Sequence, residues 1–398
     1  MHRTQLSAVL VFVAVVLSAL NLRAGVSSLA PVLGQVRDAF GVSTATAGVL
    51  TSLPGLCFAL MGWCAVPIAR RTGLSPTIAV GTAGIIVGLA LRPWVGSFAA
   101  FFLLTVLVVA GIAVQNVLLP AWIKNTSTPL SPVVAMSAYT AVLGLSGAIG
   151  PASALVSPGD WQQALFLWLW PAVLAVVVWV FVWRRLGRDL PRPATAADLH
   201  QPEPEGKLFT SPTAWFMLGF FGLQSAGAYV QMGWLPQMLI DRGVDEATAS
   251  WALILLGAVN VVGGVLMPWL AARMRNLIPV PIVLSGITIG GWLGVLCAAD
   301  AAPLLWAFLL GTGGMCFPLV LALLAERTRS PLMTARLSGF AQPGGYLVAG
   351  GLPLLVGVLY SHFGGWDEIL WLLIGLAGLM AFFGAMSARR VFVDDEVA

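Results

Sequence analysis

Arg23 stands inside a run of apolar residues, SALNLRAGVSSLAP at positions 18–31, with Asn21 two residues before it. A guanidinium offers a planar fork of N–H donors that fits a carboxylate or another small planar anion through two parallel hydrogen bonds. Other polar side chains interrupt later apolar runs: Gln115 and Asn116, Tyr139, Gln224, Tyr229, Gln231, Trp234, Asn260, Gln342 and Tyr346. Gln224 and Gln231 are seven apart, and Gln342 and Tyr346 four apart, spacings that put each pair on one face of a helix. Such groups donate and accept hydrogen bonds without carrying charge, so they orient a ligand rather than react with it. Any one of them is also explained by an interhelical hydrogen bond, worth about 0.6 kcal/mol on average in a membrane.

The carboxylates and histidines are elsewhere. All 16 acidic residues fall in loops or at the ends of the apolar runs, and His2, His200 and His362 are peripheral too. No nucleophile with a base, no metal-ligand set and no HExxH pattern is available within the runs, which argues against an enzyme and calls for no catalytic residue, metal or cofactor. The stretch GTGGMCFP at 311–318 lacks the lysine of a phosphate-binding loop, so this chain has no nucleotide motif to power pumping. An arginine inside a membrane costs at least a few kcal/mol unless water, a partner or a ligand compensates it. With no internal carboxylate in reach, the simplest counter-ion for Arg23 is an anionic ligand.

These side chains need elements to carry them. Of the 398 residues, 59% are hydrophobic and 9% charged, against about 25% charged in soluble domains, so the composition is that of a polytopic membrane protein. Twelve runs are long enough to span, near 6–34, 45–69, 75–92, 97–123, 131–156, 162–183, 209–239, 247–271, 278–298, 302–325, 333–361 and 367–388. The first is too long for a signal peptide and has no small-residue cleavage site before a soluble domain. With the N-terminus inside, sixteen of the 20 basic residues fall on the cytoplasmic side and Arg37, Arg92 and Arg242 on the outer side. The positive-inside rule then puts both termini in the cytoplasm of a cell whose inner (plasma) membrane holds the protein. The basic balance follows from this bias and implies no nucleic acid, and the short loops leave no room for a receptor domain.

The longest polar stretch, residues 184–207, reads as an irregular linker. It separates an N-terminal six-helix bundle, 1–184, from a C-terminal one, 208–398, with 185–207 between them and a short cytoplasmic tail at the end. The halves repeat at an offset of about 202 residues. AFGVSTATAGVL (39–50) aligns with DRGVDEATASWAL (241–253), and GWCAVPIARR (62–71) with GGVLMPWLAARM (263–274). AMSAYTAVLGLSGAIGP (135–151) aligns with ARLSGFAQPGGYLVAGGLP (335–353). Three matches in order predict parallel repeats with a substrate site near midplane, where the halves meet. Pro67, Arg70 and Arg71 in the first half and Pro268 and Arg273 in the second mark equivalent cytoplasmic loop motifs. Gly81, Gly84 and Gly88, and likewise Gly286, Gly290 and Gly294, have the spacing of close helix contacts.

This loop pattern resembles the major facilitator superfamily. Within it, NLRAGVSSLAPVL, GIAVQNVLLPAWIK (111–124), FGLQSAGAYVQMGWLP (221–236) and LSGFAQPGGYL (337–347) are similar to the branch of cyanate permeases and 2-nitroimidazole transporters. Two positions depart from the pattern: Ala24 stands where the branch has proline, and VPIARRTG (66–73) lacks the superfamily's acidic residue for a charge lock with the neighbouring helix. The resemblance implies an all-α membrane fold of twelve helices in two pseudo-symmetric bundles. It also implies a monomer that moves a small anion by alternating access, with Arg23 holding the substrate. It equally allows export of neutral or weakly acidic planar compounds. Facilitated diffusion, anion exchange and symport of a proton carried on the substrate or on a peripheral group such as His362 stay open as modes of coupling.

Overall fold

Long apolar runs without alternation can satisfy their backbone groups in lipid only as helices, and helices are what the chain forms. The computed structural model describes residues 6–126, 128–190, 208–329 and 331–397. In chain order the long helices are α1 (Ala8–Phe40), α2 (Thr44–Thr72), α3 (Leu74–Leu91), α4 (Phe98–Asn125), α5 (Pro132–Ile149) and α6 (Trp161–Leu186). They continue with α7 (Pro212–Ile240), α8 (Glu246–Arg273), α9 (Pro279–Ala298), α10 (Pro303–Glu326), α11 (Pro331–Phe363) and α12 (Asp367–Ser387). Among the described residues ten of these are long and apolar enough to cross a membrane, and α5 contributes the shorter apolar helix Val134–Ile149. The remaining one, α7, carries Gln224, Gln231 and Gln237 along its length. The twelve runs expected from the sequence therefore correspond to twelve helices, with α1 broken by a 3-10 turn at Ala30–Val32.

The chain divides into two units: Met1–Ser43 with Leu60–Pro193, and Thr44–Ala59 with Ala194–Ala398. The expected division of 1–184, 185–207 and 208–398 runs along the sequence; by packing, the first part of α2 goes with the second unit. Small residues account for this. Gly55 lies backbone to backbone against Gly350, and a Cβ on Gly48 would stand 3.2 Å from the Gly357 Cα and 3.0 Å from the Trp234 ring. The Ala45 N–H also donates to Ser361 Oγ at 3.0 Å. Most of the expected linker, 191–207, lies outside the described residues.

Each unit uses the same pairings. In the first, α1 packs on α5, α3 on α4, and α6 on α1 and α3; in the second, α7 packs on α11, α9 on α10, and α12 on α7 and α9. The repeat also holds in the turns. Gly41 (φ 61°) and Gly243 (φ 90°) take the left-handed backbone that only glycine adopts without strain. After each, the N–H of Val42 or Val244 bonds back to the carbonyl of Arg37 or Leu239, both at 3.1 Å. The offset is 202 residues for every one of these positions.

The glycine pattern is less symmetric than the sequence suggests. A Cβ on Gly88 would collide with Val108 and the Leu104 carbonyl of α4, and Gly84 faces Leu107 at 3.3 Å, so the α3 glycines do sit in a helix contact. Their equivalents Gly290 and Gly286 have nothing within 4 Å; in α9 the close contacts are made by Gly294, against Trp306, and by Gly291, where a Cβ would stand 2.8 Å from Leu310. Of the three glycines expected in the α9 contact, Gly294 is in it, Gly286 and Gly290 are not, and Gly291 joins from the adjacent face.

At the ends of the helices, carboxylates tie the units off. In the first, Asp189 accepts from the Ser75 N–H at 2.8 Å and the Ser75 hydroxyl at 2.5 Å, while its own carbonyl takes the Leu74 N–H at 3.0 Å. These are unsatisfied donors of the first turn of α3. In the second, the short helix Val393–Glu396 brings Glu396 to the start of α7, where it accepts from the Thr213 N–H at 3.0 Å, the Thr213 hydroxyl at 2.9 Å and the Ser211 hydroxyl. Arg329 holds the same tail with a two-point pair to Asp395 at 2.5 and 2.8 Å.

Candidate functional site

From Ala8 to Arg23 is 15 residues of helix, about 22 Å of rise, so the side chain starts deep within α1. Its surroundings follow from α5. Ser146 Oγ accepts from the N–H of Ala24 at 3.0 Å and of Arg23 at 3.3 Å and donates to the Leu20 carbonyl, which pins α5 against this turn. Gly147 then leaves room for the Arg23 stem; a Cβ there would stand 3.3 Å from Arg23 Cδ. The side chain is half-buried, and its guanidinium makes no hydrogen bond or ion pair with a described residue. Asn21 is turned the other way in hydrogen-bonding terms, donating to the Leu17 carbonyl of its own helix at 2.7 Å.

The other candidates of the first unit divide into two kinds. The Tyr139 hydroxyl donates to Asn116 Oδ1 at 2.9 Å, joining α5 to α4, with Tyr139 buried and Asn116 half-buried. Gln115 points instead into the α3–α4 contact, where it is fully buried and donates to Thr82 Oγ1 at 3.2 Å. Its neighbour in sequence thus bonds toward a different helix, as a 100° step per residue requires.

In the second unit Gln224 and Gln231 line one cavity of about 30 Å³, together with Thr288 and Trp292 of α9, Gly313 and Gly314 of α10, and apolar residues of α12. That volume admits about two waters or the edge of a small ligand. The lining has no charged side chain. Trp234 is not part of it: the indole is enclosed, donates to the Pro353 carbonyl at 3.0 Å, and packs on Trp366 with centroids 5.8 Å apart. Asn260 donates to the Leu256 carbonyl of its own helix at 3.0 Å and lies against Gly314. Tyr346 meets Phe58 and Phe221 at 5.7 and 5.1 Å, and Tyr229 and Gln342 are half-buried.

The residues expected as loop motifs lie instead in the last turns of helices, Pro67, Arg70 and Arg71 in α2 and Pro268 and Arg273 in α8. Pro67, Arg70, Arg71, Pro268 and Arg273 are all exposed; the Arg71 carbonyl accepts from Arg188, and the Arg273 guanidinium lies 4.8 Å over the Trp269 ring. The carboxylate missing from VPIARRTG is supplied from beyond α6 by Asp189 at the Ser75 turn. Burial pushes its pKa above the ordinary carboxylate value, while hydrogen bonds from Ser75 and Trp122 pull the other way.

Sequence reasoning missed Arg92. Expected among the outer-side charges, it is fully buried at the end of α3, with Nη2 donating to the Gly25 carbonyl at 3.2 Å. The signal available in the sequence was LRPWVG, where proline after arginine forces a tight turn that can fold the side chain back inward.

Residues 11–352 match the model of the Major Facilitator Superfamily. The chain is 33% identical to the 2-nitroimidazole transporter of Escherichia coli (strain K12) over 381 residues, covering 94% of each chain. It is 29% identical to the cyanate transport protein CynX of the same organism, over 87% of this chain and 88% of that one. Its fold is similar to that of a solved bacterial homologue of the human lysosomal transporter Spinster, with a TM-score of 0.78 at 16% identity, covering 97% of this chain and 98% of that one. The twelve helices in two repeated sets, the left-handed glycine turns at one offset and the match over most of the length lead to one conclusion: this multi-pass membrane protein is a transporter, not an enzyme, and belongs to the major facilitator superfamily, on its cyanate and 2-nitroimidazole transporter branch.

Proposed function

We propose that the protein moves a small anion, cyanate-like or carboxylate-like, by alternating access, with Arg23 as the group that holds it. One observation carries this reading: the Arg23 guanidinium is half-buried deep in α1, its stem fixed on Gly147, and it has no partner among the described residues. A charge left that way favours any anion that can reach it, since the interaction strengthens as water is excluded. The similarity to a cyanate transport protein supports the same substrate class.

A second reading is export of neutral or weakly acidic planar compounds. The uncharged cavity beside Gln224, Gln231 and Trp292 favours it, as does the similarity to a 2-nitroimidazole transporter. In either case the substrate is a small molecule, the protein acts as a monomer in the inner (plasma) membrane with both termini cytoplasmic, and movement is by facilitated diffusion, by exchange for another anion, or with a proton carried on the substrate or on a peripheral group such as His362. Purified protein in liposomes, assayed for uptake of labelled cyanate, a small carboxylate and 2-nitroimidazole, decides between the readings. Anion uptake that is lost in Arg23→Gln supports the first. Uptake of 2-nitroimidazole alone, unaffected by that substitution, rejects it in favour of the second.

A further inference from the structure

The stretch GTGGMCFP at 311–318 has no phosphate-loop chemistry, yet it breaks a long helix. Pro318 has no N–H to give the Gly314 carbonyl, which accepts from the Phe317 N–H at 3.0 Å instead. The Met315 N–H bonds to Thr312 at 3.1 Å rather than one residue further back. α10 therefore comes in two pieces, Pro303–Gly313 and Cys316–Glu326. Irregular backbone at membrane depth is tolerated where it is buried in protein or lines a water-filled cavity. Gly313 and Gly314 line the cavity of about 30 Å³ in the second unit. Three polar side chains open on the same cavity, each more than nine-tenths buried: Gln224 is 5% exposed, Gln231 4% and Trp292 2%. The Gln231 carboxamide and the Trp292 indole N–H make no hydrogen bond with a described residue. Gln224 has one, accepted by Oε1 from the Ser225 hydroxyl at 3.3 Å. Thr288 spends its proton on the Leu284 carbonyl at 3.0 Å and keeps its lone pairs. That leaves both amide NH2 groups, the indole N–H and Gln231 Oε1 to be satisfied, and these atoms reach open space in the cavity.

We propose that this cavity is a binding site for two water molecules, held by α7 and α9 against the break in α10. The volume sets the number, since a bound water needs about 10–15 Å³ of such space. The chemistry sets the class. Donors and acceptors stand together with no charge among the lining residues, which suits a ligand that both gives and takes hydrogen bonds and leaves an ion unbalanced. Each water needs two to four polar partners; the two amides, the indole and Thr288 supply them for both. The site lies inside the second unit and holds whichever compound the protein carries.

The test uses purified full-length protein in nanodiscs and a short X-ray pulse, which turns water into hydroxyl radicals that label the side chains beside it. Mass spectrometry reads the label. Trp292 and Trp234 are the comparison, 2% and 1% exposed, with only the first on the cavity. Trp292 should label several-fold faster. Gly227 also lines the cavity, and a Cβ there meets nothing within 4 Å, so Gly227→Ala puts a methyl into the water space without a clash. It should lower Trp292 labelling by about half, one water of the two, while the unfolding temperature holds or rises. Gln231→Leu removes a partner of both waters and should lower the labelling further. Trp292 labelled no faster than Trp234 would overturn the proposal and make the cavity dry. Labelling unchanged in both variants would overturn it too, because the water would then lie elsewhere. The wild-type comparison decides the matter even if a variant fails to fold.

Discussion

Among the described residues away from helix ends, the polar groups of the first unit include a full positive charge, at Arg23, whereas those of the second are amides, hydroxyls and indoles. The neutral set is also more thoroughly committed: Trp234 donates to Pro353 and Asn260 to Leu256, while Gln224 and Gln231 share a cavity with Thr288 and Trp292. Two copies of one helical plan thus carry different chemistry. A neutral hydrogen-bonding wall can recognise shape and still release its cargo. A lone guanidinium supplies attraction that grows as the dielectric falls. Damage to the first unit should therefore abolish anion movement, and damage to the second should change which compound is moved.

The sharpest break is Arg23→Gln. Removal of a charge-assisted pair costs about 1.5–3 kcal/mol, or roughly 10–150-fold in anion transport efficiency, measured as initial uptake into liposomes. Arg23→Lys should lose less, since charge remains while the fork is gone. Thermal unfolding of both should match the wild type; a large drop would make the arginine a structural strut.

The repeat itself offers the next contrast. Gly88→Ala should destabilise by about 1–3 kcal/mol through collision with Val108, whereas Gly290→Ala at the equivalent position of α9 meets nothing within 4 Å. The second substitution should be neutral or stabilise by about 0.5–1 kcal/mol from helix propensity alone. Thermal unfolding in nanodiscs compares them directly, and equal effects would contradict the asymmetry.

Asp189→Ala removes the carboxylate from the Ser75 turn and should cost about 1–2 kcal/mol, the range for a lost helix-end hydrogen bond. Its pH behaviour has a definite sign. Burial raises the folded-state pKa above the ordinary 3.8, so the folded protein binds the proton first. The associated stability is fully present below the unfolded value and is lost as pH rises through the folded one. Melting temperature measured from neutral pH downward should therefore show a stabilising component in the wild type that Asp189→Asn lacks.

The smallest effects belong to the neutral wall. Gln231→Leu should fold and leave anion uptake within a few fold, while it weakens binding of a planar amide-seeking compound by about 0.5–1.5 kcal/mol. A thermal-shift titration with 2-nitroimidazole reads the difference. An anion-uptake defect as deep as that of Arg23→Gln would erase the contrast between the units.

Periodic features of this architecture were legible in the sequence. Twelve apolar runs became twelve helices, the glycine-valine pairs at 41–42 and 243–244 became matching left-handed turns, and the seven-residue spacing of Gln224 and Gln231 put both on one cavity. Three facts were not legible, each because it depends on contacts far apart in the chain. The start of α2 joins the second unit through glycine backbones that hydropathy does not register. Arg92 turns inward because a proline turn and the Gly25 carbonyl receive it, although its position at a helix end reads as aqueous. The carboxylate absent from the loop before α3 arrives from Asp189, 114 residues later than Ser75.

The two carboxylate ties at the helix ends set a schedule for synthesis. Asp189 follows Ser75 by 114 residues, whereas Glu396 follows Thr213 by 183. At about 5–20 residues per second, the first turn of α7 waits about 10–40 s for its acceptor, against about 6–23 s for α3. A nascent chain whose residue 195 has left the ribosome can already hold the clasp on α3. One extruded only as far as residue 390 has every long helix out, yet the Thr213 N–H at the start of α7 still lacks its acceptor. The short helix Val393–Glu396 is therefore what completes the start of α7, and a ribosome-arrested intermediate lacking it should be the more easily cleaved near Ser211.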